Sequence, residues 1–262
     1  MSPVSNRSLL DKIISPLYRL KEELTYHSHP AGRASLAMLG DLRDCYQGER
    51  CFIIGNGPSL QKTDLTRLRD EYTFGLNRIY LLFPQLGFST TFLVTVNHLV
   101  VEQCVDEILS VPSIKFLPWS LRKIINAPMH SDSIFFRGDR SGGGFTTDAC
   151  RPLWQGATVT YIAMQLAYHM GFKQVALIGV DHSFFTQGKP NTEIVSHGDD
   201  PNHFSAQYFG KGFRWQLPDL ETSEIAYHMA RRAFEADGRE IVDATIGGKL
   251  TVFPKVDYSS LF

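Results

Sequence analysis

The stretch that decides the fold is Cys51-Phe52-Ile53-Ile54-Gly55-Asn56-Gly57-Pro58-Ser59-Leu60. Four apolar residues run straight into a glycine turn, the pattern of a strand buried on both faces of a parallel sheet and handing over to a helix. Two glycines let the backbone approach a ligand closely, and Pro58 and Ser59 suit the entry to a helix whose free N–H groups favour a phosphate. Gly55, Asn56, Gly57, Pro58 and Ser59 therefore read as a nucleotide-binding turn. The third glycine of a GxGxxG fingerprint is missing, with Leu60 in its place, and no GK[ST] follows, so dinucleotide and Walker-type ATP binding both lose weight. A tight βα turn without a ligand is the plainer alternative, against which Asn56 is more polar than such a turn requires.

Outward from this turn the chain alternates. Runs rich in β-branched and aromatic residues at Cys51–Ile54, Tyr72–Leu76, Thr91–Val96, Ile114–Leu117 and Val175–Gly179 are separated by helical patterns, which predicts an α/β, Rossmann-like, mostly parallel sheet with helices on both faces. The clearest helix is predicted from about Ala157 to Met170, with Gly171 as its C′ residue. A second is predicted at Ser223–Ala236, ending at Gly238 before Ile241 and Val242. Ahead of the alternating region, Leu9, Leu10, Ile13, Ile14, Leu17, Tyr18 and Leu24 recur at helical spacing, and His27–Gly32 with Pro30 reads as a break. The expected organisation is an N-terminal amphipathic helical extension over 1–40 and a catalytic domain over 41–262, with a lid-like segment near 183–220.

Composition narrows the function. Of 262 residues, 26 are basic and 27 acidic, a balance that argues against a general nucleic-acid binder, which needs a basic stripe. No apolar run approaches a membrane span, and no apolar signal region precedes a small-residue cleavage site, so a cytoplasmic protein is expected. Mixed charge on the first helix favours packing on the body or on a second subunit over an anionic membrane surface. Peripheral association at the inner membrane and a homo-oligomer stay open. Cys45, Cys51, Cys104 and Cys150 show no CxxC spacing and are expected to be reduced and mostly buried.

Further candidate positions lie at predicted strand ends and at one helix start. Asn77 follows strand 72–76 and reads either as a ligand to the same nucleotide or as a helix cap. Thr158 opens the best helix, where capping and anion contact are equally compatible with its spacing. Asp181 and His182 follow strand 175–179, and His197 and His203 lie downstream; a histidine here suits proton transfer near neutral pH. A metal site from Asp181, His182, Asp199 and His203 lacks any paired short spacing. The segment Tyr208–Trp215 mixes aromatics, glycines, Lys211 and Arg214, suited to sugar or base rings and to phosphate, and reads as a lid or as an exposed loop.

The runs FIIGNGPSL (52–60), FGLNRIY (74–80), ATVTYIAMQLAYHMGFKQVALIGVDHSF (157–184) and DATIGGKLTVFPKVDY (243–258) resemble the superfamily of Maf-type flagellin glycosyltransferases and 6-hydroxymethylpterin diphosphokinase-like proteins, from about residue 40 to the end. The GNGPS turn with its downstream Asn also resembles bacterial lipooligosaccharide sialyltransferases, which have a Rossmann-like variant of the glycosyltransferase A fold. The resemblance implies nucleotide contacts at Asn56, Gly57, Ser59 and Asn77, a donor-facing helix start at Thr158, a base at His203 with His182 competing, and a phosphate ligand at Tyr208. It implies transfer of an acidic, sialic-acid-like sugar from a CMP-activated donor to a glycan or protein hydroxyl, in surface polysaccharide or flagellin modification. No cofactor and no metal are expected, in keeping with the lack of a DxD triplet. The alternative is an ATP-dependent pterin diphosphokinase, requiring magnesium on Asp181, Asp199 or Asp200.

Overall fold

The computed structural model describes residues 20–125, 132–139, 143–186 and 188–262; of the helical pattern expected from Leu9 to Leu24, the part before residue 20 lies outside them. The strands in chain order are β1 (Arg50–Ile54), β2 (Tyr72–Leu76), β3 (Phe92–Val94), β4 (Ile114–Pro118), β5 (Ser133–Phe136), β6 (Gly138–Asp139), β7 (Leu153–Trp154), β8 (Gln174–Ile178), β9 (Glu193–Val195), β10 (Arg214–Gln216) and β11 (Glu240–Asp243). Seven form one parallel sheet in the order β11-β8-β1-β2-β3-β4-β5. The chain moves outward on one side of β1 and then crosses to β8 on the other, which makes the β1/β8 boundary a topological switch point. The expected α/β class and mostly parallel sheet are therefore what the chain adopts.

Why the strands read as unbroken apolar runs is now visible. Cys51 and Ile53 of β1 join a core with Phe74, Phe92 and Phe116 on one face, while Phe52 and Ile54 join Leu93, Leu117 and Ile178 on the other. A strand with two buried faces cannot alternate apolar and polar side chains. The four longer helices are α1 (Pro30–Asp41), α2 (His98–Ser110), α3 (Val159–His169) and α4 (Leu220–Ala236). Helix α3 is buried from Thr160 to Ala167, on all sides rather than along one stripe. Its polar side chains are matched accordingly. Gln165 accepts from Thr146 N at 3.1 Å and donates to Trp154 O at 2.8 Å, and His169 bridges Ala149 N and Leu39 O. Burial pushes the His169 imidazole below its ordinary pKa, keeping it neutral.

One sequence expectation changes. The break at His27–Gly32 shrinks to the single residue His29, because Pro30 supplies a preset φ at the first turn of α1 and His29 caps it by accepting from Ala31 N. Residues 20–28 are helical and, with α1, cover the free edge of β5. The Phe135 N–H donates to Ser35 Oγ at 2.9 Å and the Phe135 carbonyl accepts from Tyr26 Oη at 2.8 Å, so an edge strand that would otherwise offer open hydrogen-bonding groups is closed by side chains. The four cysteines are free, Cys51 and Cys104 buried, Cys150 half-buried and Cys45 exposed. No helix among the described residues is long and apolar enough to cross a membrane.

Tyr26→Phe removes one atom and leaves a buried edge carbonyl without a donor. The expected cost is about 1–3 kcal/mol, read as a lower urea midpoint at unchanged slope; an unchanged midpoint would show that water replaces the phenol.

Candidate functional site

A cavity of about 340 Å³ opens at the carboxyl ends of the strands, over the β1/β8 switch point. Gly55, Asn56, Gly57, Asn77, Thr158, Asp181, His182, His203 and Tyr208 all line it, although they are spread over more than 150 positions of the chain. Pro58 and Ser59 do not. They begin a short 3₁₀ turn behind the cavity wall, Pro58–Lys62, where the sequence pointed to a full helix.

The glycine turn packs against a second turn. Gly55 N donates to Ile178 O at 2.8 Å and Gly57 N to Gly179 O at 2.9 Å, so the turn after β1 is zipped to the turn after β8. A Cβ on Gly55 would overlap the Gly179 carbonyl, and one on Gly57 would overlap the Asp181 carboxylate. The absent side chains admit the neighbouring turn at least as much as a ligand. Asp181 Oδ1 accepts from Ser59 N at 3.1 Å and Asp181 Oδ2 from Ser59 Oγ at 2.6 Å. The N–H expected to hold a phosphate is thus already capped by a carboxylate of this chain, and Asp181 and Ser59 act as a strut.

What the turn presents to the cavity is Asn56. Its side-chain Oδ1 is buried with no partner, and the same holds for Oδ1 of Asn77 across the cavity floor. Asn77 is not a helix cap: it sits in the left-handed region at φ 48°, its N–H donating to Val94 O at 2.9 Å, and Arg78 precedes the following 3₁₀ turn. Two orphaned amide oxygens in one cavity are costly unless a ligand supplies donors. Backbone strain concentrates here as well. Among the described residues five non-glycines have positive φ, and four of them, Asn77, Ala157 (58°), His182 (54°) and Asn191 (63°), line this cavity.

The far wall is the start of α3. Thr158 caps that helix by accepting from Thr160 N at 3.3 Å and also lines the cavity. Thr158 Oγ1 lies 3.4 Å from Tyr227 Oη on α4. Burial raises the pKa of the Tyr227 phenol, which stays protonated.

The histidines separate into two pairs. His203 Nδ1 is 2.6 Å from Asp200 Oδ2, and Asp200, nearly fully buried, also accepts from Asn202 N at 2.8 Å and Phe209 N at 3.1 Å. The imidazole stacks on Tyr208 at 4.0 Å between centroids and 13° between planes. A carboxylate fixing one ring nitrogen and an aromatic fixing the plane leave Nε2 as the group offered to the cavity. Tyr208, expected as a phosphate ligand, lines the cavity; its hydroxyl accepts from Arg78 N at 3.4 Å, and desolvation raises its pKa. His182 Nε2 pairs with Glu224 Oε1 of α4 at 2.9 Å. Sequence reasoning missed Glu224, which carries no local signal, and gave Asp200 only a magnesium role.

The segment expected to be a lid is packed. Phe209, Phe213 and Trp215 stack in series and β10 pairs antiparallel with β9, closing one side of the cavity. Arg214 is held by Glu102 at 2.9 Å rather than facing a ligand. Phe204 N donates to Asn56 O at 2.9 Å, tying the His203 loop to the glycine turn. Asp181, His182, Asp199 and His203 do not converge on one point, and the one group of metal-ligating atoms among the described residues, Asp148, Cys150 and His169, lies elsewhere. There His169 already spends both ring nitrogens on backbone partners.

The family described as 6-hydroxymethylpterin diphosphokinase MptE-like matches residues 31–187, more than half of the sequence. The chain belongs to this MptE-like family. Among solved structures it is similar to the Maf glycosyltransferase from Magnetospirillum magneticum AMB-1, with a TM-score of 0.53 and 13% identity over 88% of this chain. The chain spans 39% of the length of that protein, and at this identity the likeness is one of fold. No curated protein sequence matches. The MptE-like part of the resemblance read from the sequence is thereby established, and the family match covers the turns after β1, β2 and β8.

Gly57→Ala in this MptE-like protein is expected to lower the thermal midpoint by driving Asp181 off Ser59. In a double-mutant cycle with Asp181→Ala the two costs should fall short of their sum, because the second change removes the group the first collides with. Strict additivity would show that the two turns are not locked together.

Proposed function

We propose that this MptE-like protein is a glycosyltransferase that moves an acidic, sialic-acid-like sugar from a CMP-activated donor to a hydroxyl of a glycan or protein. The observation that carries the reading is His203: one ring nitrogen on a buried carboxylate, the ring plane clamped by Tyr208, and the other nitrogen left for a cavity that also holds the two unpartnered amides Asn56 and Asn77. In such a reaction the bond between the anomeric carbon and the donor phosphate breaks, the phosphate leaves with the electron pair, the acceptor oxygen bonds to that carbon, and its proton passes to His203 Nε2. Asn56 and Asn77 face the nucleoside, and the opening of α3 faces the phosphate, where a helix N-terminus and hydroxyls lower the cost of the departing charge. Asp200 is a positioning residue that holds the tautomer. No cofactor is required in this reading, and an acceptor carried on surface polysaccharide precursors or flagellin would be met in the cytoplasm or at the inner face of the inner membrane.

The family's description favours a second reading, ATP-dependent pyrophosphoryl transfer to a pterin. The carboxylates that would carry its magnesium do not fit: Asp181 is bound to Ser59 and Asp200 to His203, and Asp199 is exposed. No step is assigned through magnesium on these residues.

Single-turnover assays with a CMP-activated acidic sugar separate the readings. His203→Ala should slow transfer by about 10²–10⁴ with little change in donor affinity, and turnover should survive excess chelator. Normal turnover in His203→Ala would move the base elsewhere, and strict loss with chelator, restored by magnesium alongside ATP turnover, would install the diphosphokinase.

A further inference from the structure

We infer that His182, paired with Glu224, is the cation that holds the nucleotide's phosphate. This assignment rests on the reading that the cavity takes a nucleotide. Every such ligand brings negative charge, yet among the described residues lining the cavity there is no Lys or Arg. The carboxylates on the wall are turned to other work: Asp181 grips Ser59, and Asp219 caps α4 by accepting from Thr222 N at 3.0 Å. Among the described residues the side chains on this wall that can take up a positive charge are histidines, and three line it.

The three differ in what their surroundings allow. His98 is exposed at the first turn of α2. His203 is tied to buried Asp200 with its ring stacked on Tyr208, and the proposed reaction already gives it to the acceptor hydroxyl. His182 is different: its side chain is 8% exposed, and its partner Glu224 is 51% exposed. Glu224 holds Nε2, while Nδ1 carries no protein hydrogen bond among the described residues. The ring lies 6.2 Å from that of Tyr227, whose hydroxyl reaches Thr158 at the start of α3. Imidazole, phenol and helix opening thus form one continuous wall, and a phosphate oxygen on Nδ1 would also meet the opening of α3. The left-handed backbone at φ 54° is a conformation that histidine, asparagine and aspartate adopt more readily than most residues, and it is imposed by the locked turn after β8.

Calorimetric titration of the full-length protein with cytidine and with cytidine monophosphate, at one mildly acidic pH, isolates the phosphate's contribution. His182→Asn suits the same backbone and removes the charge. It should lower affinity for the monophosphate roughly ten- to a hundredfold, as expected for a lost charge-assisted hydrogen bond, and leave cytidine affinity as in the native protein. Glu224→Gln should lie between the two. A native monophosphate-to-cytidine ratio in His182→Asn would overturn the assignment while leaving the nucleotide reading intact. If the native protein bound neither compound, the nucleotide reading would fall and the assignment with it. If His182→Asn lost cytidine too, its cavity would be disrupted and the exposed Glu224→Gln would decide: a lowered ratio keeps the assignment, an unchanged one overturns it.

Discussion

Everything in the site depends on one close approach, that of the turn after β1 to the turn after β8. Two backbone hydrogen bonds and the Asp181–Ser59 contacts hold it, and it exists because Gly55 and Gly57 present no side chain. The segment after β11 completes the clamp from the other side: Val180 N donates to Thr245 Oγ1 at 3.2 Å, and Lys249 N donates to Asp181 O at 2.9 Å. The β8 turn is thus held between two stretches of chain, which is what can keep His182 in a left-handed conformation that costs on the order of 1 kcal/mol or more when unsupported.

From that clamp the chemistry follows by position. Parallel strands end together, so residues remote in sequence converge at their carboxyl ends, and the switch point leaves a crevice between them. Asn56 enters from one strand end, Asn77 from the next, His182 from the strand across the switch, and Thr158 from the helix that precedes it. The tie from Phe204 N to Asn56 O fixes the His203 loop to the same frame, so the two histidine pairs stand on opposite sides of one volume. One pair has its carboxylate buried and the other has it near solvent.

Much of this was legible in the sequence. The unbroken apolar strands and the glycine turns register a parallel sheet directly, because burial on both faces leaves no freedom in residue type. The boundaries of β1, β2, β4, β8, α3 and α4 fall within a few residues of those expected. β5 and the helix α2 did not emerge. β5 is only four residues long, and α2, capped by Asn97, follows β3 after a short connection. Partnership was the harder quantity. Nothing near Gly57 announces that Asp181 will fill the space above it, nothing near His182 announces Glu224 forty-two residues later, and Asp200 looks like a solvated loop acid until its three hydrogen bonds are seen. Sequence spacing identified which residues face the cavity; only the packing of the turns shows which of them already have partners.

The most direct test is a crystal structure of the protein with cytidine monophosphate. The account places the nucleoside against Asn56 and Asn77 and the phosphate between the opening of α3 and His182, with the His203 ring still on Asp200. Nucleotide bound outside the cavity over the β1/β8 boundary, or seated there with its phosphate turned away from α3, would contradict it.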